Sequence, residues 1–239
     1  MCHSDDSRPP AAPGAVPAAS DAALELTAAD GTRVLAHEAR PVTPSGVGIV
    51  VLPDVRGLHD YYRRLAVRFA ETGAEAVAVD YFGRTAETDD RSEDFAFRPH
   101  VDAATPEGIA ADVAAAVAHL RERGATRVFT LGFCFGGGSS WRQSADTPGL
   151  AGCIGFYGRA SLAEDAVPGM TAPLLMLVAG ADANLPVSDA EALAAAAAAR
   201  VPVELVVFDG APHSFFDRSF TEHEADCVRA WDEILRFTA

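Results

Sequence analysis

The sequence contains no lysine: all 19 basic residues among its 239 are arginine, against 34 acidic residues, for a net charge of −15. Without an ε-amino group there is no Schiff-base nucleophile, no P-loop lysine and no lysine-anchored pyridoxal phosphate. The acidic surplus excludes the basic surface that a phosphate backbone requires, so no nucleic-acid partner is expected. Cysteine is scarce, with four residues at positions 2, 134, 153 and 227 and no C-x-x-C spacing. Neither a zinc cluster nor a disulfide framework is indicated, and a reducing cytoplasmic location is expected. Nothing approaches the roughly 20 apolar residues of a membrane span, so a soluble chain with no membrane partner is expected. No metal or other cofactor is expected either, because the Cys2-His3 pair offers only two ligands. A signal peptide is also missing: residues 1–20 are acidic and then rich in alanine and proline, without a basic start or an apolar middle. They are expected to form a disordered or loosely attached tail ahead of a single domain over residues 21–239.

What is present is an alternation of strand and helix signals. Two alternating stretches, Ala23 to Thr27 and Arg33 to Glu38, flank Asp30-Gly31 and predict a peripheral hairpin. Continuous apolar runs follow at Gly46 to Leu52, Ala74 to Asp80, Arg127 to Phe133, Leu150 to Phe156, Leu174 to Gly180 and Val203 to Phe208. Runs of that kind belong to strands covered on both faces. Helical periods lie between them. One runs from Tyr61 to Thr72 with Asp60 as the expected cap; another starts at Thr105-Pro106-Glu107 and carries Ile109, Val113, Val117 and Leu120. A third follows Pro186, and the last opens at Thr221-x-x-Glu224, read as a capping box, with Val228, Trp231 and Leu235 inward. This order predicts an α/β fold, a mostly parallel sheet with helices on both faces, with ligands at the C-terminal strand ends. Residues 85–105 show no period and are placed as a rim or partial lid at the mouth of the site.

The chemical centre is Gly132-Phe-Cys134-Phe-Gly136, where a strand turns sharply into a helix and the middle residue is exposed at the tip. Glycine is expected two residues before and after because a Cβ there would strike the adjoining strand and helix. Asp182 follows the next-but-one strand, and His213 lies in the loop after the last. Nucleophile, acid and histidine in that order, each just past a strand end, is the order of the α/β-hydrolases. Ser139 and Ser140 fall inside the helix and Cys153 within a strand, so Cys134 is the candidate nucleophile. Asp189 and Asp209 compete with Asp182 as the acid, but they read as helix-start and turn residues.

With Gly180-Ala-Asp182, Pro186 and Gly210-Ala-Pro-His213-Ser-Phe215, the chain resembles the dienelactone hydrolase family from about residue 45 onward. The resemblance implies a hydrolase of small carboxylic esters or lactones, acting through a Cys134-His213-Asp182 triad and a thioester. It implies an oxyanion hole from the backbone N–H groups of Val55 and Phe135. Asp54 stands where family members carry a glutamate that helps to form the thiolate, and it is shorter by about 1.5 Å. Arg84 matches one of two carboxylate-binding arginines, while Asp217 occupies the place of the second with Arg218 beside it. Arg84, and Arg218 or Arg56, are therefore the expected contacts for a carboxylated substrate. The partner implied is a small ester or lactone, the protein being a monomer or a small homo-oligomer. Two other readings stay open: a ligand-binding protein that keeps the geometry without turnover, and a redox-active thiol, which lacks a nearby resolving cysteine.

Overall fold

The computed structural model describes residues 4–18 and 20–239, so the Cys2-His3 pair lies outside the described residues. Among these, eight strands form one sheet: β1 (Ser20–Thr27), β2 (Arg33–Arg40), β3 (Val47–Leu52), β4 (Glu75–Asp80), β5 (Arg127–Phe133), β6 (Gly152–Phe156), β7 (Leu174–Ala179) and β8 (Val203–Phe208). Their order across the sheet is β1-β2-β4-β3-β5-β6-β7-β8. The first two pairs, β1–β2 and β2–β4, are antiparallel and the remaining five are parallel. The β1–β2 hairpin turns at Asp30-Gly31, where Gly31 takes a φ of 83° that a side chain would strain. Every residue of β3, β4, β6 and β7 is buried. Within β3, Ile49 and Val51 join one core and Val50 and Leu52 the other, as the two-residue pleat requires.

Among the described residues, six α-helices cover the two faces: α1 (Asp60–Ala70), α2 (Phe97–Ala103), α3 (Pro106–Glu122), α4 (Phe135–Asp146), α5 (Val187–Ala197) and α6 (Glu224–Thr238). Residues of α1 and α6, including Phe69 and Trp231, pack into one core. Ile109 and Val113 of α3, Trp141 of α4 and Leu193 of α5 pack into the other. The Thr105 cap holds, its side chain accepting from the Gly108 N–H at 3.1 Å.

Five expectations are corrected. His59, not Asp60, caps α1: its Nδ1 accepts from the Tyr61 N–H at 3.0 Å, and Asp60 instead pairs with Arg64 one turn on. Helix α6 begins at Glu224 without a side-chain cap, so the capping box does not form. Its buried stripe is Cys227, Ala230, Trp231 and Ile234, spaced by three and four, which turns Val228 outward at 49% exposure. The 85–105 stretch contains α2, a seven-residue helix with no buried residue and hence no apolar period to betray it. Residues 4–18 lie against the domain rather than loosely beside it. Pro9, Pro10 and Ala12 are buried. The carbonyls of Pro9 and Pro10 accept from Arg68 Nε (3.4 Å) and Trp231 Nε1 (3.3 Å), and the Val16 N–H reaches Glu71 O at 2.9 Å. A proline-rich segment loses little chain entropy when laid down in this way.

Candidate active site

Strand β5 ends at Phe133 and α4 begins at Phe135, which leaves Cys134 to make the whole turn with φ 54° and ψ −111°. A non-glycine residue in that region carries on the order of 1–3 kcal/mol of strain. The flanking glycines make the approach possible. A Cβ on Gly132 would sit 1.9 Å from Gly136 O, and one on Gly136 would sit 2.2 Å from both Leu52 O and Pro53 O. The thiol makes no capping bond to the helix it precedes. It stands at the N-terminal, positive end of α4.

The loops after β7 and β8 meet at the same end of the sheet, tied by the Gly180 N–H to Phe208 O and the Ala181 N–H to Ala211 O, each at 2.9 Å. From the first loop, Asp182 turns its carboxylate inward. Oδ1 accepts from the Asn184 and Leu185 N–H groups at 2.9 and 3.1 Å, and Oδ2 meets His213 Nδ1 at 2.5 Å. The Cys134 side chain is hydrogen-bonded to the same imidazole. Burial disfavours charging His213, but the bonds and charges of Cys134 and Asp182 outweigh it and raise the imidazole from its ordinary 6.5 to about 9. Thiol, imidazole and carboxylate thus stand in succession. The two other described thiols contrast with it: burial pushes Cys153 and Cys227 up to about 12.

These groups open into a cavity of about 740 Å³ lined on its apolar side by Val55, Phe97, Val101, Phe135, Leu162 and Leu185. Phe97 and Val101 come from α2, so the 85–105 stretch does form part of the rim. Arg98, Arg159 and Arg218 line the same cavity, and all three are exposed.

Among the site residues expected from sequence, Val55, Cys134, Phe135, His213 and Arg218 line this cavity, and Asp182 stands behind His213. Asp54 is fully buried in the loop after β3, where Oδ1 accepts from the Arg56 N–H at 2.9 Å. Arg84 and Arg56 are corrected. Arg84 is spent on ion pairs, bonding Asp112 through Nε and a terminal nitrogen and Asp30 at 2.7 Å. Burial lifts Asp112 to about 6 even with that partner. Arg56 is fully buried and donates to Arg91 O at 2.8 Å and to the Asp5 carboxylate, which fastens the loop after β3 to the rim stretch and to the N-terminal segment. Arg98 and Arg159 were missed by the sequence reading. Arg159 had a usable signal, since it follows β6 at a C-terminal strand end; Arg98 sits in a helix without a period and had none.

A mostly parallel sheet covered by helices, with a strained residue at the β5–α4 elbow and its partners in the loops after β7 and β8, defines the α/β-hydrolase fold. The sequence profile of the dienelactone hydrolase family matches residues 34–239, and the chain belongs to that family of carboxylic ester and lactone hydrolases. A Salmonella typhi protein provisionally named carboxymethylenebutenolidase is 27% identical over 237 residues, 92% of this chain and 88% of its own. A Bradyrhizobium protein provisionally named 2-oxo-3-(5-oxofuran-2-ylidene)propanoate lactonase is 29% identical, covering 86% of this chain and 89% of its own. Among solved structures, a provisionally named dienelactone hydrolase from Klebsiella pneumoniae subsp. pneumoniae superposes with a TM-score of 0.76 at 24% identity, covering 92% of this chain and 98% of the other. The dienelactone hydrolase-like promiscuous phosphotriesterase P91 from metagenomic libraries gives 0.73 at 21% identity over 92% and 98% of the two chains. These two structures share the fold. Among the described residues no helix is long and apolar enough to cross a membrane.

Proposed function

We propose that the protein hydrolyses small carboxylated esters or lactones through a thioester formed on Cys134. The observation that carries this reading is the hydrogen-bonded succession Cys134–His213–Asp182 at the floor of the cavity. The thiolate attacks the carbonyl carbon, and the C–O π pair moves onto oxygen. The N–H of Phe135 has no acceptor within its helix because it is the first helical residue. With the N–H of Val55 it receives that oxyanion; one such donor is worth about 3 kcal/mol. As the tetrahedral adduct collapses, the C–O bond to the leaving alkoxide breaks and the His213 imidazolium gives it the proton. Water then loses a proton to His213 and attacks the thioester, and the departing sulfur returns as thiolate. Asp182 holds the imidazole with Nδ1–H toward itself throughout.

Recognition of a carboxylate falls to Arg98, Arg159 and Arg218 rather than to Arg84 and Arg56. Their three guanidinium groups, against the single carboxylate of Asp102, make the lining of the cavity positive in a chain whose overall charge would repel an anion. Asp54 assists thiolate formation from behind, by holding the loop that carries Val55. The direct test is Cys134→Ala against Cys153→Ala and Cys227→Ala, with an activated ester as substrate. The reading requires loss of turnover in the first variant alone; undiminished turnover in Cys134→Ala would remove it.

A further inference from the structure

Tyr157 follows the last residue of β6 and holds a φ of 35°, a left-handed value that an aromatic residue rarely adopts. Its backbone N–H donates to Leu177 O at 2.8 Å, which fixes the chain in that bend. The bend turns its ring onto His213, with ring centres 4.8 Å apart and planes at 56°. On the far side the phenol O–H donates to Asp217 Oδ2 at 2.9 Å.

Asp217 lies four residues after His213, at the close of a turn in which Ser214 has a φ of 65°. The N–H groups of Asp217, Arg218 and Ser219 converge on Ser214 O at 3.2, 2.9 and 3.2 Å, and the Arg218 N–H meets Asp217 Oδ1 at 2.5 Å. Tyr157 and Asp217 are 2% and 1% exposed, and neither is among the residues that line the substrate cavity. A carboxyl group shut away from water is costly unless it serves a directional bond, and the side-chain bond it makes here is to the phenol that backs the imidazole.

We propose that Tyr157 and Asp217 form a positioning pair for His213, in which the carboxyl group fixes the phenol and the phenol ring holds the imidazole against Asp182 and Cys134. The proposal rests on the reading of His213 as the acid and base of the reaction. Burial, and then the charge of Asp54, push Asp217 well above the usual carboxylate range. The titratable groups that face it are Asp54, Tyr61, Tyr157, His213 and Cys227.

Tyr157→Phe, Asp217→Leu and Asp217→Asn test the pair, with kcat, KM and the rate at which iodoacetamide alkylates Cys134 at neutral pH as readouts. Alkylation reports the thiolate–imidazolium pair, which a merely structural contact would leave alone. In Tyr157→Phe and Asp217→Leu, kcat should fall about 5- to 30-fold with KM within about twofold, and alkylation should slow in parallel. Asp217→Asn keeps an oxygen for the phenol and should stay within about threefold of the parent. Tyr157→Phe removes a single oxygen and decides alone if Asp217→Leu does not fold. Parental kcat and alkylation in Tyr157→Phe would overturn the proposal, as would equal losses in Asp217→Asn and Asp217→Leu. Either result beside an inactive Cys134→Ala leaves the thioester reading standing, whereas an active Cys134→Ala removes both.

Discussion

Replacing Asp182 by asparagine changes one atom at the most tightly bonded contact of the site. The side-chain oxygen that accepts from the Asn184 and Leu185 N–H groups should stay where it is. The new amide nitrogen is then aimed at His213 Nδ1, which must become an acceptor, and the imidazole proton moves to the nitrogen facing Cys134. That tautomer cannot take the thiol proton. The scale of the loss follows from the imidazole itself. Raising it from 6.5 to about 9 corresponds to about 3 kcal/mol in favour of the imidazolium. Cys134 contributes first and Asp182 second against opposing burial, so about 2–3 kcal/mol of transition-state stabilisation should disappear, roughly 30- to 150-fold in kcat/KM. The assay is steady-state hydrolysis of an activated ester followed across pH. The lower pH limit of activity in the variant should reflect a less basic imidazole. Activity within about threefold of the parent at neutral pH would refute the role given to Asp182.

Three further outcomes follow. Arg84→Ala should leave selectivity for carboxylated substrates intact and lower stability by about 2–3 kcal/mol, because Asp112 loses the partner of a nearly buried carboxylate; Arg159→Ala and Arg98→Ala should instead lower kcat/KM for carboxylated esters by the equivalent of about 1.5–3 kcal/mol and spare neutral ones, and a reversal of these patterns in competition assays would return Arg84 to the site. Asp54→Asn should slow iodoacetamide labelling of Cys134 together with catalysis, and labelling at the parental rate would leave His213 and the α4 dipole as sufficient activators. His213 is held above its ordinary value, so it contributes stability that is complete below pH 6.5 and is lost as pH rises through about 9. The Tm difference between the parent and His213→Gln should therefore shrink over that interval, and a difference that grew with pH would contradict the sign.

Much of this was legible in the sequence because both signals are local. Strands covered on both faces must be apolar without a break, and β3, β4, β5 and β7 could be read within a residue or two of their ends. The elbow was legible because only glycine clears backbone at distances near 2 Å, and Asp182 and His213 because they follow strand ends in order. What escaped depended on where long side chains reach. Arg84 and Arg218 both stand in loops at the active end of the sheet, yet Arg84 finds Asp112 on α3 while Arg218 points to the cavity. No spacing rule separates them. The seven-residue α2 escaped because none of its residues is fully buried, and the docking of residues 4–18 because backbone carbonyls, which every sequence has, make the contacts.

The central claim is that a covalent acyl group passes through Cys134, and acid quenching during turnover of a slowly hydrolysed activated ester tests it most directly. Mass spectrometry of the peptide spanning Cys134 should show the acyl mass on that residue, in larger yield in His213→Ala given a substrate whose leaving group departs without protonation, and none in Cys134→Ala. Product formed at full rate with no acyl group on Cys134, or with the acyl group on another residue, would contradict the account.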